Sequence, residues 1–312
     1  MKILITGASG FIGGYLAEQL AGNPEFQILA TGRSVCRRFD DLTNVTYFRL
    51  DLSVICSEKI ECDICIHAAG LADDQSSEAE LMRANVDTVN NLAESISNCQ
   101  CMIHISSSSV YDYSDGQVKS ETDATLDKRL SDYGKSKLLS EQVMAKVGIQ
   151  RIYILRPRAV YGPGDRTLLP RIQKLVRGSF MIAPGTLHFE SSLTHVRQLL
   201  DASLLCMDQS KKGLHVYNIA DDRTYLLEEV FSEIAFHQAG HRKLKHIPAS
   251  LIEKIIALKE WLGIRVGVSR QSFDYLNQHS VLSIEKAKTE LGYAPKTSFF
   301  DSISEWFNKR ND

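Results

Sequence analysis

A short apolar run, Lys2-Ile-Leu-Ile-Thr6, stops at Gly7-Ala-Ser-Gly10-Phe-Ile-Gly13 and gives way to a helical pattern over Phe11–Ala21. A buried strand must turn at once into a helix, and few folds begin that way. Gly7 permits the tight turn, Gly10 lets backbone N–H groups approach a ligand, and Gly13 lets helix pack on strand. The helix N-terminus adds partial positive charge, so the turn suits a pyrophosphate.

The same alternation continues. Apolar, β-branched runs at Gln27–Thr31, Val45–Leu50, Asp63–His67, Cys101–Ser106 and Arg151–Leu155 are strand candidates. Glu78–Asn98 and Asp132–Val147 read as helices between them. Strands that are apolar throughout, separated by helices, argue for an α/β fold with a doubly wound parallel sheet covered on both faces. After Arg156-Pro157 the texture becomes rich in loops, with Gly162-Pro-Gly164, Pro170, Gly178 and Pro184-Gly185. Residues 1–156 are therefore expected to form a nucleotide-binding domain, and 157–312 mainly a smaller substrate-binding lobe. A strand at Leu214–Ala220 is expected to rejoin the first domain, with helices at Leu227–Ala239 and Ala249–Leu262 following it.

Composition excludes some partners. The 312 residues carry 36 basic and 38 acidic side chains, a formal net charge of −2, and no basic stripe that would suit nucleic acid. No apolar run is long enough to span a membrane, and the N-terminus does not read as a signal peptide. Seven cysteines without a secretory context are expected to be reduced thiols in a cytoplasmic protein. Cys62-Asp-Ile-Cys65 has redox or zinc spacing, but nothing completes a ligand set, so both are expected to be core residues.

The end of the second strand discriminates between dinucleotides. A carboxylate there would accept from a ribose 2′-hydroxyl. This chain has Gly32-Arg33 instead, followed by Arg37 and Arg38. Guanidinium groups grip a phosphate, so NADP is the preferred cofactor and NAD the alternative. Asp51-Leu52 is placed to cap an adenine. His67-Ala68-Ala69-Gly70 offers small residues past which a cofactor can lie, and His67 itself reads as a packed residue at a strand end.

Chemistry enters at Tyr133-Gly-Lys-Ser-Lys137. Tyrosine and lysine at i and i+4 share a helical face. A free phenol titrates near pH 10. A nearby ammonium, or the positive charge of an oxidised cofactor, would favour the phenolate and lower that value. Such a tyrosine donates a proton to a carbonyl or removes one from a hydroxyl. Ser107, at the C-terminal end of the fifth strand, can hold the substrate oxygen beside it.

Together these segments resemble the extended short-chain dehydrogenase/reductase family. The resemblance adds Ala84-Asn-Val86, Ile105-Ser-Ser-Ser-Ser-Val-Tyr111, Leu155-Arg-Pro-Arg-Ala-Val-Tyr-Gly-Pro-Gly164 and Ile284–Pro295. It implies a Rossmann-type fold, with catalysis by Ser107, Tyr133 and Lys137 and support from Asn85. The implied cofactor contacts are Gly7, Gly10, Phe11, Ile12, Gly13, Arg33, Asp51, Leu52, Ala68, Ala69, Tyr133 and Lys137. No metal is implied. A homodimer through the helices Glu78–Asn98 and Asp132–Val147 is compatible with the family.

Departures narrow the chemistry. Sugar-nucleotide dehydratases place Asp-Glu directly after the catalytic Thr or Ser; here those positions are Ser108-Ser109. Sugar-nucleotide epimerases usually carry asparagine three residues after the arginine of the sixth strand; here it is Ala159, although Arg158, Arg166 or Arg171 could serve a phosphate. The segment Arg156–Asp165 with Leu193-Thr-His-Val196 looks most like the 3β-hydroxysteroid dehydrogenase-like branch. The expectation is an oxidoreductase that interconverts a ketone and a secondary alcohol on a small-molecule substrate. A nucleotide-sugar 4-epimerase is the alternative, and a non-catalytic redox-sensing module is disfavoured because tyrosine and lysine are both retained.

Overall fold

Ile3, Leu4 and Ile5 are all fully buried. Neighbours on a strand point to opposite faces, so this strand is covered on both sides. The computed structural model describes residues 1–56, 58–73, 76–262 and 270–308. Its central element is a seven-stranded parallel sheet built from β1 (Lys2–Thr6), β2 (Gln27–Gly32), β3 (Val45–Arg49), β4 (Ile64–His67), β5 (Cys101–Ile105), β6 (Arg151–Pro157) and β7 (Gly213–Ile219). The spatial order is β7-β6-β5-β4-β1-β2-β3. The chain thus winds outward twice from β1, the doubly wound Rossmann arrangement.

The two faces have separate cores. Ile3, Ile5 and Ile103 pack with Leu16 of α1 (Phe11–Leu20) and with Leu199 of the helix Val196–Asp208. Leu4, Cys65 and Met102 face the other way, against Val89, Leu92 and Met144. The CxxC pair belongs to this second core, with Cys62 and Cys65 both buried as free thiols. A third cluster lies beyond the sheet. It joins Tyr161, Leu169, Phe231, Phe299 and Trp306, all contributed by the chain after residue 157.

One predicted helix is not continuous. The stretch expected at Glu78–Asn98 is α2 (Glu78–Met82), a π-helical segment at Arg83–Asp87, and α3 (Thr88–Ser95). Its last residues turn into a short strand, Ile96–Ser97, which pairs with Ile60–Glu61. Single π turns inside α-helices often mark functional positions, and this one contains Asn85. The helix of the YxxxK motif is α4 (Asp132–Met144), capped by Ser131, whose hydroxyl accepts from the Gly134 N–H at 3.0 Å. Among the described residues no helix is long and apolar enough to cross a membrane.

Candidate active site

The C-terminal ends of β1, β2, β4, β5 and β6 lie along one edge of the sheet, where ligands bind in this architecture. Gly7 takes a left-handed conformation there, with φ +71°, and an added Cβ would stand 2.7 Å from the Ala68 carbonyl oxygen and the Ala69 nitrogen. At Gly13 a Cβ would come within 2.6 Å of the Gly7 oxygen. The first and third glycines are therefore fixed by packing. Gly10 caps α1 with extended backbone and no side-chain acceptor. The first N–H groups of α1, from Phe11 onward, have no intrahelical partner by construction, so they are free for an anion. These features fit a dinucleotide pyrophosphate. Thr6 ties the next loop in place, interacting with His67 Nδ1 at 2.8 Å and accepting from the Ala69 N–H at 3.2 Å.

His67 is fully buried and stacks on His104 with ring centroids 5.3 Å apart. Burial first, and then the Lys137 charge, lowers its pKa to about 3. It is a neutral packed residue and not a base poised for catalysis.

The residues implied for the adenosine end lie at the rim. Arg33 follows β2 and is exposed, and Asp51 follows β3 and is exposed, while Leu52 is buried. Arg33 contributes to lowering the Asp51 carboxyl, after the dominant hydrogen bonds from Ser53. Arg37 is exposed, but Arg38 is engaged by Glu18 of α1 in a two-pronged ion pair. The basic run seen in the sequence therefore reduces to Arg33 and Arg37 as groups open to a phosphate.

Ser107, Tyr133 and Lys137 come together at the end of β5. Ser107 caps a single 3-10 turn, Ser108–Val110; its Oγ accepts from the Ser109 N–H at 3.1 Å and donates to Ser109 Oγ at 3.2 Å. Gly134 lets α4 reach this turn, because a Cβ there would collide with the Ser109 carbonyl. Lys137 is buried, and its Nζ donates to the Ile105 carbonyl at 2.8 Å.

The expected lowering of the phenol by the ammonium is not what this arrangement produces. Burial dominates and pushes the Tyr133 phenol up to about 12, against a smaller downward pull from the Ser107 hydroxyl; Tyr275 adds to the rise. Helical spacing placed Lys137 on the right face, but its amine points to the strand carbonyl. Burial also draws Lys137 down to about 8, partly offset by the Glu141 charge.

Asn85 supports the site from the π segment. Its Oδ1 accepts from the Leu71 N–H at 2.8 Å, and its Nδ2 donates to the Leu71 carbonyl at 3.1 Å and to Ser136 Oγ at 2.9 Å. Ser136 donates in turn to the Tyr133 carbonyl at 2.8 Å. One amide thus links the loop after β4 to the turn of α4 that carries the tyrosine.

Several residues around the site were missed in the sequence. Glu141 lies four residues after Lys137 on the same face of α4. It receives Arg156 Nε at 3.0 Å and Nη2 at 2.6 Å, and Ser106 Oγ at 2.5 Å, all buried. Arg156 also donates to the Tyr111 hydroxyl at 2.8 Å, which donates to Asn218 Oδ1 at 2.6 Å. The signal available was the i, i+4, i+8 series Tyr133, Lys137, Glu141. Its partner Arg156, on β6, stood out in the sequence only as part of the family motif, with nothing to pair it with Glu141.

The chain matches the NAD dependent epimerase/dehydratase family over residues 3–220. It belongs to that family. A 4-hydroxy-2-methyl-3-oxo-4-farnesyl-3,4-dihydroquinoline-1-oxide ketoreductase of Stigmatella aurantiaca is 26% identical, over 96% of this chain and 93% of its own. A UDP-glucose 4-epimerase of Vibrio cholerae is also 26% identical, over 75% of each chain. Among solved structures, MoeE5 in complex with UDP-glucose and NAD superposes with a TM-score of 0.76 at 24% identity, covering both chains completely. The homologues in this epimerase/dehydratase family are NAD-dependent enzymes of the extended short-chain dehydrogenase/reductase type.

Proposed function

We propose that the protein is an NAD(P)-dependent oxidoreductase that interconverts a ketone and a secondary alcohol, with NADP preferred. The observation that carries this reading is the turn after Ser107. Ser108 and Ser109 are both buried there, where an enzyme that eliminates water would need carboxylates. Hydroxyls in those positions support proton transfer at one oxygen by Ser107 and Tyr133 without elimination of water.

When bound, the dinucleotide supplies or accepts the hydride at the substrate carbon. The chain does the rest. Ser107 holds the substrate oxygen, and Tyr133 gives it a proton as the carbonyl becomes an alcohol. A phenol held near 12 keeps its proton at neutral pH, which suits the reducing direction. For oxidation, a cationic nicotinamide beside the phenol would favour its ionised form. Lys137, whose Nζ donates to the Ile105 carbonyl, would bond the nicotinamide ribose through its remaining protons, and Asn85 fixes the backbone at Tyr133 through Ser136. The full-length likeness to a ketoreductase supports the same reaction class. Arg33 and Arg37 at the rim support the preference for NADP through a 2′-phosphate.

The likeness to a UDP-glucose 4-epimerase favours a second reading, in which the same groups oxidise and re-reduce one sugar carbon. Ala159, in place of the asparagine of such enzymes, counts against it. The deciding measurement is substrate conversion followed together with cofactor absorbance at 340 nm. The oxidoreductase consumes one cofactor per product. Product formed with no net change in absorbance would establish the epimerase instead.

A further inference from the structure

Arg156 and Arg158 leave the same end of β6 two residues apart and have opposite surroundings. Arg156 is matched by Glu141. Arg158 is 7% exposed, and no carboxylate among the described residues pairs with it. Its guanidinium lies over the rings of Tyr275 at 4.5 Å and Tyr113 at 5.3 Å, and its Nη2 donates to Ser280 Oγ at 2.7 Å. Its Nε is buried with no partner. Aromatic faces offset part of the cost of enclosing a cation, but an unmatched buried charge remains strongly unfavourable. Such a group persists where an anion completes it.

The location says which anion. Arg158 is the first residue after β6, beside the strand end that delivers Ser107. Tyr275, which carries the guanidinium on its ring, is also close enough to Tyr133 to act on its phenol. The cation and the proton donor therefore share one wall. Arg166 and Arg171, the other basic residues of this segment, are exposed, and Arg171 faces Asp73 at 4.0 Å. They do not compete for this role.

We infer that the substrate carries an oxyanion, a carboxylate or a phosphate, near the carbon that reacts, and that Arg158 binds it. The inference rests on the oxidoreductase reading above and names the class of ketone that the site accepts. A guanidinium carried on two aromatic rings, with its Nε–H unused, is a planar fork of the kind that grips a carboxylate or phosphate.

The test is calorimetric titration of the full-length protein saturated with NADP. The anionic probes are acetoacetate, 3-oxododecanoate and dihydroxyacetone phosphate. Their neutral counterparts are the two methyl esters and dihydroxyacetone. At least one anion is expected to bind about 30-fold tighter than its counterpart, the usual scale for a buried charge pair. Arg158→Met and Arg158→Lys are then expected to remove that preference while the neutral compounds and NADP bind as before. Anions bound no better than their neutral counterparts by the wild type overturn the assignment, and that arm needs no variant to fold. A preference that survives in both variants overturns it too. Preference for a carboxylate or for the phosphate identifies the source of the oxyanion. A separate assay supplies NADPH as the hydride donor: tight anion binding lost in the variants but without reduction of the probes leaves the anion site standing and removes the oxidoreductase reading. Reduction of the neutral esters at equal kcat/KM does the reverse.

Discussion

Lys137 donates from Nζ to the carbonyl of Ile105 at 2.8 Å. The helix that carries Tyr133 is thereby tied to the last residue of the strand that delivers Ser107. The bond holds an amine in an enclosed place, where burial has drawn its pKa to about 8. In the unfolded chain lysine titrates near 10.4. Between those values the unfolded chain keeps a proton that the fold has released, so this group adds stability as pH rises. Lys137→Met removes the contribution. The stability of the wild type relative to that variant is expected to grow by about 1.4 kcal/mol per pH unit between about pH 8 and pH 10. Urea unfolding at the two ends of the window reads it. A difference independent of pH would mean that Lys137 stays charged throughout.

Tyr133→Phe keeps the ring and deletes the proton donor. Turnover is expected to fall about 10²–10⁴-fold, with NADP affinity unchanged within about twofold because the glycine turn is untouched. Ser107→Ala is expected to cost less and to move the phenol further up, since the serine hydroxyl pulls it down. The pH–rate profile for alcohol oxidation should then shift to higher pH in Ser107→Ala. Undiminished activity in Tyr133→Phe would remove this residue from the chemistry.

Most of the fold was legible because its strands are buried on both faces. A run such as Ile3-Leu4-Ile5 has no alternation to misread, and the strand boundaries agree within a residue or two with those expected. The glycine turn was legible for a similar reason: packing fixes Gly7 and Gly13 independently of any ligand. The π segment at Arg83–Asp87 was not, because the helical pattern runs through it and only the amide of Asn85, bonded across to Leu71 and Ser136, shows what it is for. The same limit hid the Glu141–Arg156 pair and left Arg38 looking free. Spacing tells which face a side chain is on; it does not tell where a long side chain ends.

Glu141 and Arg156 are each about 5% exposed and meet through two hydrogen bonds. Removing one member of such a pair leaves the other charge stranded, at a cost of about 3–5 kcal/mol. Glu141→Gln is expected to lose that much in urea unfolding. The double variant Glu141→Leu with Arg156→Met should recover part of the loss, because no charge is then left uncompensated. It should not recover activity, because Arg156 also holds Tyr111 and Glu141 supports the charge of Lys137. A Glu141→Gln protein as stable as the wild type would show that the pair contributes nothing to the fold.

Arg33 stands exposed after β2, with Arg38 already committed to Glu18. If Arg33 grips a 2′-phosphate, Arg33→Ala should raise KM for NADPH by about 10–100-fold, the scale of a charge-assisted contact of about 1.5–3 kcal/mol. KM for NADH should change by less than about threefold. Steady-state kinetics with both cofactors decides the matter. Equal losses with the two would assign Arg33 to a contact they share, and a wild-type preference for NADH would end the NADP reading.

Ala159 has φ +44°, in the left-handed region that residues with a Cβ avoid. The strain costs roughly 1 kcal/mol relative to glycine or asparagine. It sits directly after Arg158, where the chain leaves β6 for the loop-rich half. Two replacements separate strain from packing. Ala159→Gly relieves the backbone but gives up the methyl that packs against the core containing Tyr161 and Leu193. Ala159→Asn tolerates the conformation and keeps a side chain. Both are expected to raise Tm by about 1–3 °C in a chain of this size, with asparagine above glycine if the contacts of the methyl contribute. Circular-dichroism melts measure it. A lower Tm in both variants would mean that the methyl's contacts outweigh the strain, and that the left-handed turn is held there by packing alone.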